Sequence, residues 1–328
     1  PPPGLGALAV GFGPCAANLA ALLGAAVLLA PSVTALDLSG AAAVVAEPLP
    51  PVDWAADGHE ALVAIVESCG PLTSLDISGS RLRLHQLYAV LTSHGATLLE
   101  LRLPGNMLVH MAGAGDDRAM TAFASALNQC DQLRRLDLGH LGLAPAMRRP
   151  VLSLLQRVAP TLRSLVAALP QALAESGLSS VFTTGTCRDG GARSLEEVDL
   201  TLVPPPGGGS AAGLVEVLRA SADTGALRRL RLRAALGDST GAQLLRALFG
   251  APIEMLALDN CGLGANAWRY LRSAAQGSAW RLSHLSLCQS QPGVEAVPLL
   301  EALRTCHRLQ ELRLQCCGLT QEVGAAVG

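Results

Sequence analysis

A short aliphatic pattern recurs along the whole chain, and recurrence at a near-fixed period constrains a fold more than any single motif. The unit is an aliphatic residue, two variable ones, an aliphatic, one variable and an aliphatic. Its clearest early copies are Leu72-Thr-Ser-Leu75-Asp-Ile77, Leu98-Leu-Glu-Leu101-Arg-Leu103 and Leu133-Arg-Arg-Leu136-Asp-Leu138. Later ones are Leu195-Glu-Glu-Val198-Asp-Leu200, Leu227-Arg-Arg-Leu230-Arg-Leu232 and Ile253-Glu-Met-Leu256-Ala-Leu258. Leu282-Ser-His-Leu285-Ser-Leu287 and Leu309-Gln-Glu-Leu312-Arg-Leu314 follow, and weaker copies start at Leu5, Val33 and Leu162. The eleven starts are 28, 39, 26, 35, 29, 33, 32, 26, 29 and 27 residues apart. Between starts, apolar residues take helical spacing, as in Ala122, Phe123, Ala126 and Leu127, or Leu244, Leu245 and Leu248. A strand–helix unit this short cannot bury its apolar face alone, so neighbours must stack.

An extended form of the pattern adds an Asn or Cys and then another Leu. Asn106 with Leu108, Cys261 with Leu263 and Cys317 with Leu319 meet it. With those residues the chain resembles the leucine-rich repeat family over essentially its whole length, and in period and Cys use its ribonuclease-inhibitor-like class. The resemblance implies an α/β solenoid or horseshoe of about eleven repeats, with parallel strands on the concave face and helices on the convex one. It also implies a single domain over residues 1–328. The chain opens without Met and stops at Gly328 inside the pattern, which reads as a segment of a longer protein.

Composition narrows the function classes. Half the residues are hydrophobic and 15% charged, which excludes an ordinary disordered chain. A formal net charge of −2 argues against a nucleic-acid binder that neutralises phosphates. All 24 basic residues are Arg, which fits GC-rich coding; selection against ubiquitin-acceptor lysines would leave the same mark. Nine Cys and no Asn-x-Ser/Thr sequon favour a reducing, cytoplasmic setting. Residues 16–30 are nearly all apolar but fall short of the ~20 that a membrane span needs, so a buried helix is expected and membrane insertion is not.

Cys69, Cys130 and Cys306 lie three positions before a repeat start, and Cys261 and Cys317 eight after one, as small core residues would. Cys316-Cys317 is not a C-x-x-C, and no metal site is expected. Catalytic spacings are missing too. His59-Glu60 has no second His four residues on, and no Walker lysine exists. Gly11-Phe-Gly13 is only half a dinucleotide fingerprint. No enzyme, cofactor or small-molecule substrate is expected.

The variable positions of each strand face away from the buried Leu residues. The repeat at Leu195 presents Glu196, Glu197 and Asp199, and its neighbour presents Arg228, Arg229, Arg231 and Arg233. In-register stacking places Glu197 beside Arg229 and Asp199 beside Arg231. Two uses follow, and they are compatible: a cross-strand ion-pair ladder, or a docking site for an acidic partner, with Arg233 beyond the reach of the acids. A second cluster combines Glu100, Arg102, Arg134, Arg135 and Asp137. Irregular segments at residues 47–54, 111–117, 177–193 and 203–210 are either tolerated loops or contact loops. The resemblance implies a protein–protein interaction module. A non-catalytic scaffold in a multiprotein assembly, cytoskeletal or ciliary for instance, is one expectation. A substrate receptor or regulatory subunit, such as a ubiquitin-ligase adaptor or GTPase regulator, is the other.

Overall fold

The computed structural model describes residues 7–9, 33–39, 63–80, 82, 84–104, 117–139, 147–170, 195–203, 212–223, 225–277 and 281–317. The expected first helix, the Gly11–Gly13 motif, Asn106 with Leu108, Leu319 and most of the irregular segments lie outside them. The chain divides into two compact units, Pro1–Leu162 and Arg163–Gly328.

The first unit carries strands β1 (Ala7–Ala9), β2 (Ala35–Asp37), β3 (Ser74–Asp76), β4 (Glu100–Arg102) and β5 (Arg135–Asp137). They pair in sequence order, all parallel. Helices α1 (Leu84–His94), α2 (Asp117–Leu127) and α3 (Arg148–Val158) belong to the same unit. The second unit carries β6 (Ser164–Pro170), β7 (Glu197–Val203), β8 (Arg229–Arg233), β9 (Met255–Asp259), β10 (His284–Ser286) and β11 (Glu311–Arg313). These too pair parallel and in order. Its helices are α4 (Ala212–Asp223), α5 (Gly237–Leu248), α6 (Ala265–Ala275) and α7 (Ala296–Leu303). Among the described residues no helix is long and apolar enough to cross a membrane.

Every one of these strands begins two residues after a start of the sequence pattern, including the weak starts at Leu5, Val33 and Leu162. The reason lies in the two variable residues that separate the first two aliphatics. A plain strand alternates with period two, so a spacing of three needs a local slip. The slip is visible at eight of the entries, where two successive amides converge on one carbonyl of the preceding repeat. Arg228 N and Arg229 N both donate to Glu196 O (2.8 and 3.0 Å), and Glu254 N and Met255 N both donate to Arg228 O (2.8 and 3.1 Å). Two residues opposing one is the arrangement of a β-bulge. It lets Leu227, Leu230 and Leu232 all bury.

Four of the strand exits turn through a left-handed residue seven positions after the start. Gly79 (φ 69°), Asn260 (φ 54°), Gln289 (φ 58°) and Cys316 (φ 56°) fill it. Only Gly and Asn adopt that conformation readily, so Gln289 and Cys316 hold it under strain set by the surrounding turn. The next position points inward and holds Ser80, Cys261, Ser290 and Cys317, all buried. Ser80 Oγ donates to Ile77 O (2.6 Å), Cys261 Sγ to Leu232 O (3.4 Å) and Cys317 Sγ to Leu287 O (3.0 Å). Small donors thus serve carbonyls at the strand ends, and the two thiols reach those of the preceding repeat.

The other Cys register behaves as its spacing predicts. Cys69 and Cys130 are buried at helix ends and donate to Ile65 O (3.3 Å) and Ala126 O (3.7 Å), one turn back. Cys306 is half-buried and also reaches Ala275 O (3.6 Å). Burial pushes the Cys130 and Cys261 thiols up to about 12, and raises those of Cys69, Cys306 and Cys317. A thiol that stays protonated is neither a nucleophile nor a ready metal ligand.

Candidate functional site: the exposed faces of the two strand sets

The pleat decides which side chains are available. On β8, Leu230 and Leu232 bury while Arg229, Arg231 and Arg233 project to the other face. Because the strands are parallel and in register, equivalent residues form rows across the second unit. The first row runs Ser164, Glu197, Arg229, Met255, His284 and Glu311. The second runs Val166, Asp199, Arg231, Ala257, Ser286 and Arg313. A third, shorter row holds Ala168, Thr201, Arg233 and Asp259.

The expected neighbours Glu197–Arg229 and Asp199–Arg231 are register partners. Only the second becomes an ion pair among the described residues, with Arg231 Nη1 3.4 Å from Asp199 Oδ2. Glu197 instead accepts from Ser164 Oγ (3.2 Å). Glu196, at a bulge position, pairs with Arg163 at 3.5 Å. Arg228 also sits at a bulge, ahead of the strand, and sends Nη1 to Pro252 O (3.3 Å). It is therefore set apart from the column of Arg229, Arg231 and Arg233. Exposed pairs of this kind contribute roughly 0–1 kcal/mol each, so the ladder adds little to stability.

Arg233 does not lie beyond the acids. Asp259 flanks it on β9, opposite Thr201 on β7. The Asp259 carboxylate is held by Ser286 Oγ (2.7 Å) and Cys288 N (3.4 Å) rather than by a guanidinium. Among the described residues neither Arg229 nor Arg233 has an ion pair. The same face gains members that the charge reading of single repeats passed over: Glu254, His284, Glu311 and Arg313. Their signal was present, since His284, Glu311 and Arg313 occupy the same pattern positions as Arg229 and Arg231.

His284 has a serine on one ring nitrogen and a carboxylate near the other. Ser283 Oγ is 2.8 Å from Nδ1, and Glu311 Oε2 is 3.7 Å from Nε2. The serine gives its one hydrogen to Glu254 O (3.0 Å), so towards the ring it can only accept. A serine held that way has no base to activate it. Among the described residues no group of three His, Cys, Asp or Glu could hold a metal ion.

In the first unit the second cluster closes on itself. Glu100 pairs with Arg135 at 3.4 Å, and Arg102 pairs with Asp76 at 3.4 Å. Arg102 has Asp137 as its register partner on the other side, but Asp137 Oδ1 accepts from Gly139 N (2.8 Å). Arg134 is at a bulge, its amide on Leu99 O and its side chain exposed. Asp76, which sequence reasoning left out of this cluster, stands in the same row one repeat earlier.

No protein-family model and no curated protein sequence matches the chain. Among solved structures it is similar to a chain from the crystal structure of the Rad7 and Elc1 complex in yeast. The likeness has a TM-score of 0.50 and 16% identity, and covers 93% of this chain and 70% of that one. What the two share at that identity is a fold, and for this chain it is an α/β repeat of parallel strands and helices that fits a solenoid.

Proposed function

We propose that the chain is a leucine-rich repeat solenoid of about eleven repeats, and that it works as a non-catalytic protein–protein interaction scaffold in an intracellular multiprotein assembly. The partner docks on the exposed face of β7–β11. What supports this most directly is the column Arg229, Arg231 and Arg233 beside a strand that offers Met255 and Ala257 to the first two and, to the third, Asp259, whose carboxylate is already held by Ser286 Oγ and Cys288 N. Charged side chains rise around a low floor, and two of the three guanidiniums have no ion pair among the described residues. Arg favours planar, bidentate contacts to carboxylates, so these two are suited to a partner's acids. A cytoskeletal or ciliary setting rests on the sequence reading alone.

The test is affinity purification with mass spectrometry on wild type and the triple variant Arg229→Glu, Arg231→Glu, Arg233→Glu. The expected result is loss of specific partners with an unchanged circular dichroism spectrum, since all three side chains are at the surface. An unchanged partner set would overturn the docking face.

A second reading is a substrate receptor or regulatory subunit, such as a ubiquitin-ligase adaptor or GTPase regulator. It is favoured by the similar chain of known structure having been crystallised within a complex of Rad7 and Elc1. Ubiquitin-ligase core subunits among the recovered partners would select it over a general scaffold.

A further inference from the structure

The face of the second unit is not uniformly basic, and its polarity changes along the strands. Towards the strand starts a recess of about 410 Å³ is walled by Glu197, Asp199 and Glu254 against Arg229 and Arg231. A second recess, of about 180 Å³, runs across β8–β11 and reaches the strand ends at Arg233 and Asp259; it is walled by Arg231, Arg233 and Arg313 against Asp259 and Glu311. Three acids face two cations in the first, and three cations face two acids in the second. The two recesses meet at Arg231, Met255 and His284. Between the charged ends the floor is Met255 and Ala257, with Ala257 only 3% exposed. The smaller recess has room for about six waters at ~30 Å³ each, or one mid-sized side chain.

From this charge pattern we propose that the trough over β9 takes an extended segment of a partner protein that is basic at one end, apolar in the middle and acidic at the other. This rests on the docking-face reading above and specifies its occupant. The rows of Arg229 and Arg233 are four residues apart, roughly 13 Å at the rise of a strand. An extended segment repeats its side-chain direction every second residue, so three alternate residues span the same distance. A basic residue then lies over Glu197 and Glu254, an apolar one over Ala257, and an acidic one beside Arg233, whose neighbour Asp259 is already held by Ser286 Oγ and Cys288 N. A purely acidic segment would bring a carboxylate up to Glu197, Asp199 and Glu254, and like charges set together cost specificity as well as affinity. A lone phosphate fits poorly for the same reason, because Asp259 and Glu311 share the recess that holds the cations.

The experiment uses three fluorescein-labelled synthetic peptides with the same leucine centre: one with lysine and glutamate at opposite ends, one with glutamate at both, and one with lysine at both. Anisotropy titrations with the full chain should give the mixed-charge peptide an affinity at least about tenfold above either uniform peptide, the scale expected of partly desolvated charge pairs. Arg233→Glu should move the preference to the all-lysine peptide, and Glu254→Arg to the all-glutamate one. Arg233→Gln, which keeps the side chain's length without its charge, should abolish the preference at that end without reversing it. A wild type that prefers the all-glutamate peptide, or binds none of the three, overturns the proposal, as does a preference that the variants leave in place. The docking face itself fails separately, when cellular partners survive reversal of the three arginines.

Discussion

Asp238 shows how one side chain ties neighbouring repeats together. It lies in the first turn of α5, yet its carboxylate serves the start of α6, accepting from Gly264 N (3.1 Å), Asn266 N (3.1 Å) and Ala267 N (2.9 Å). Gly264 is the residue that precedes α6, and it has no side chain with which to cap it. The first amides of any helix lack internal partners, so a carboxylate from the preceding repeat fills the gap. Burial pushes the Asp238 carboxyl up, but the bonds from Ala267, Asn266 and Gly264 outweigh it and hold the group below its ordinary value. A carboxyl lowered in the folded state contributes stability above its unfolded pKa and loses it as pH falls through the folded one. Asp238→Ala should therefore cost about 1 kcal/mol at neutral pH, the usual worth of an N-cap. Asp238→Asn keeps an acceptor and loses the charge, so its deficit should shrink as the medium is made acidic. Urea unfolding at neutral pH and again below the carboxylate range measures both; a deficit equal at the two would remove the ionic part of the argument.

At the scale of the element, the strands were legible because their buried residues are aliphatic and regularly placed. Even the short strands at Ala7 and Ala35 begin where the weak starts put them. The bulge was legible only as an odd spacing, since nothing in Arg228 or Glu254 as residue types says that two amides will share one carbonyl. The inward position after the turn was half legible: Cys261 and Cys317 stood out, whereas Ser80 and Ser290 fill the same buried position with a residue type that is common everywhere. Helix packing was the least legible part. Gly241 is buried in α5, and a Cβ there would stand 2.3 Å from Leu263 Cδ2, itself fully buried. Helix propensity alone would reward Gly241→Ala by up to ~1 kcal/mol. Overpacking a buried contact costs roughly 1–3 kcal/mol, so the net effect should be a loss. Leu263→Val removes the obstructing methyl, and chemical denaturation of both single variants and the double should show a positive coupling. Additive losses would mean that Leu263 swings aside freely.

For the molecule as a whole, the sequence gives away which residues share a row more readily than which of them bond. Arg102 has an acid on either side and pairs with Asp76, although Asp76 and Asp137 each accept from an amide two residues on. Asp259 was out of view for Arg233 for a related reason: single-repeat reading looks back to β7 and not forward to β9. Among the described residues of each unit every strand pairs only with the strands next to it in sequence, and the energetics should follow the same rule. Stability in such an array is a sum of repeat terms and nearest-neighbour interfaces rather than of one shared core. Leu285 on β10 is a suitable probe, being 1% exposed and in register with Leu256 and Leu312. Leu285→Ala should cost about 2–5 kcal/mol through lost burial and the cavity left behind. Hydrogen exchange followed by mass spectrometry should then show faster exchange in β9, β10, β11 and α7, with β6 and β7 in the same unit protected as before. A uniform rise across the unit would mean that its repeats unfold as one body, and the nearest-neighbour account would fall.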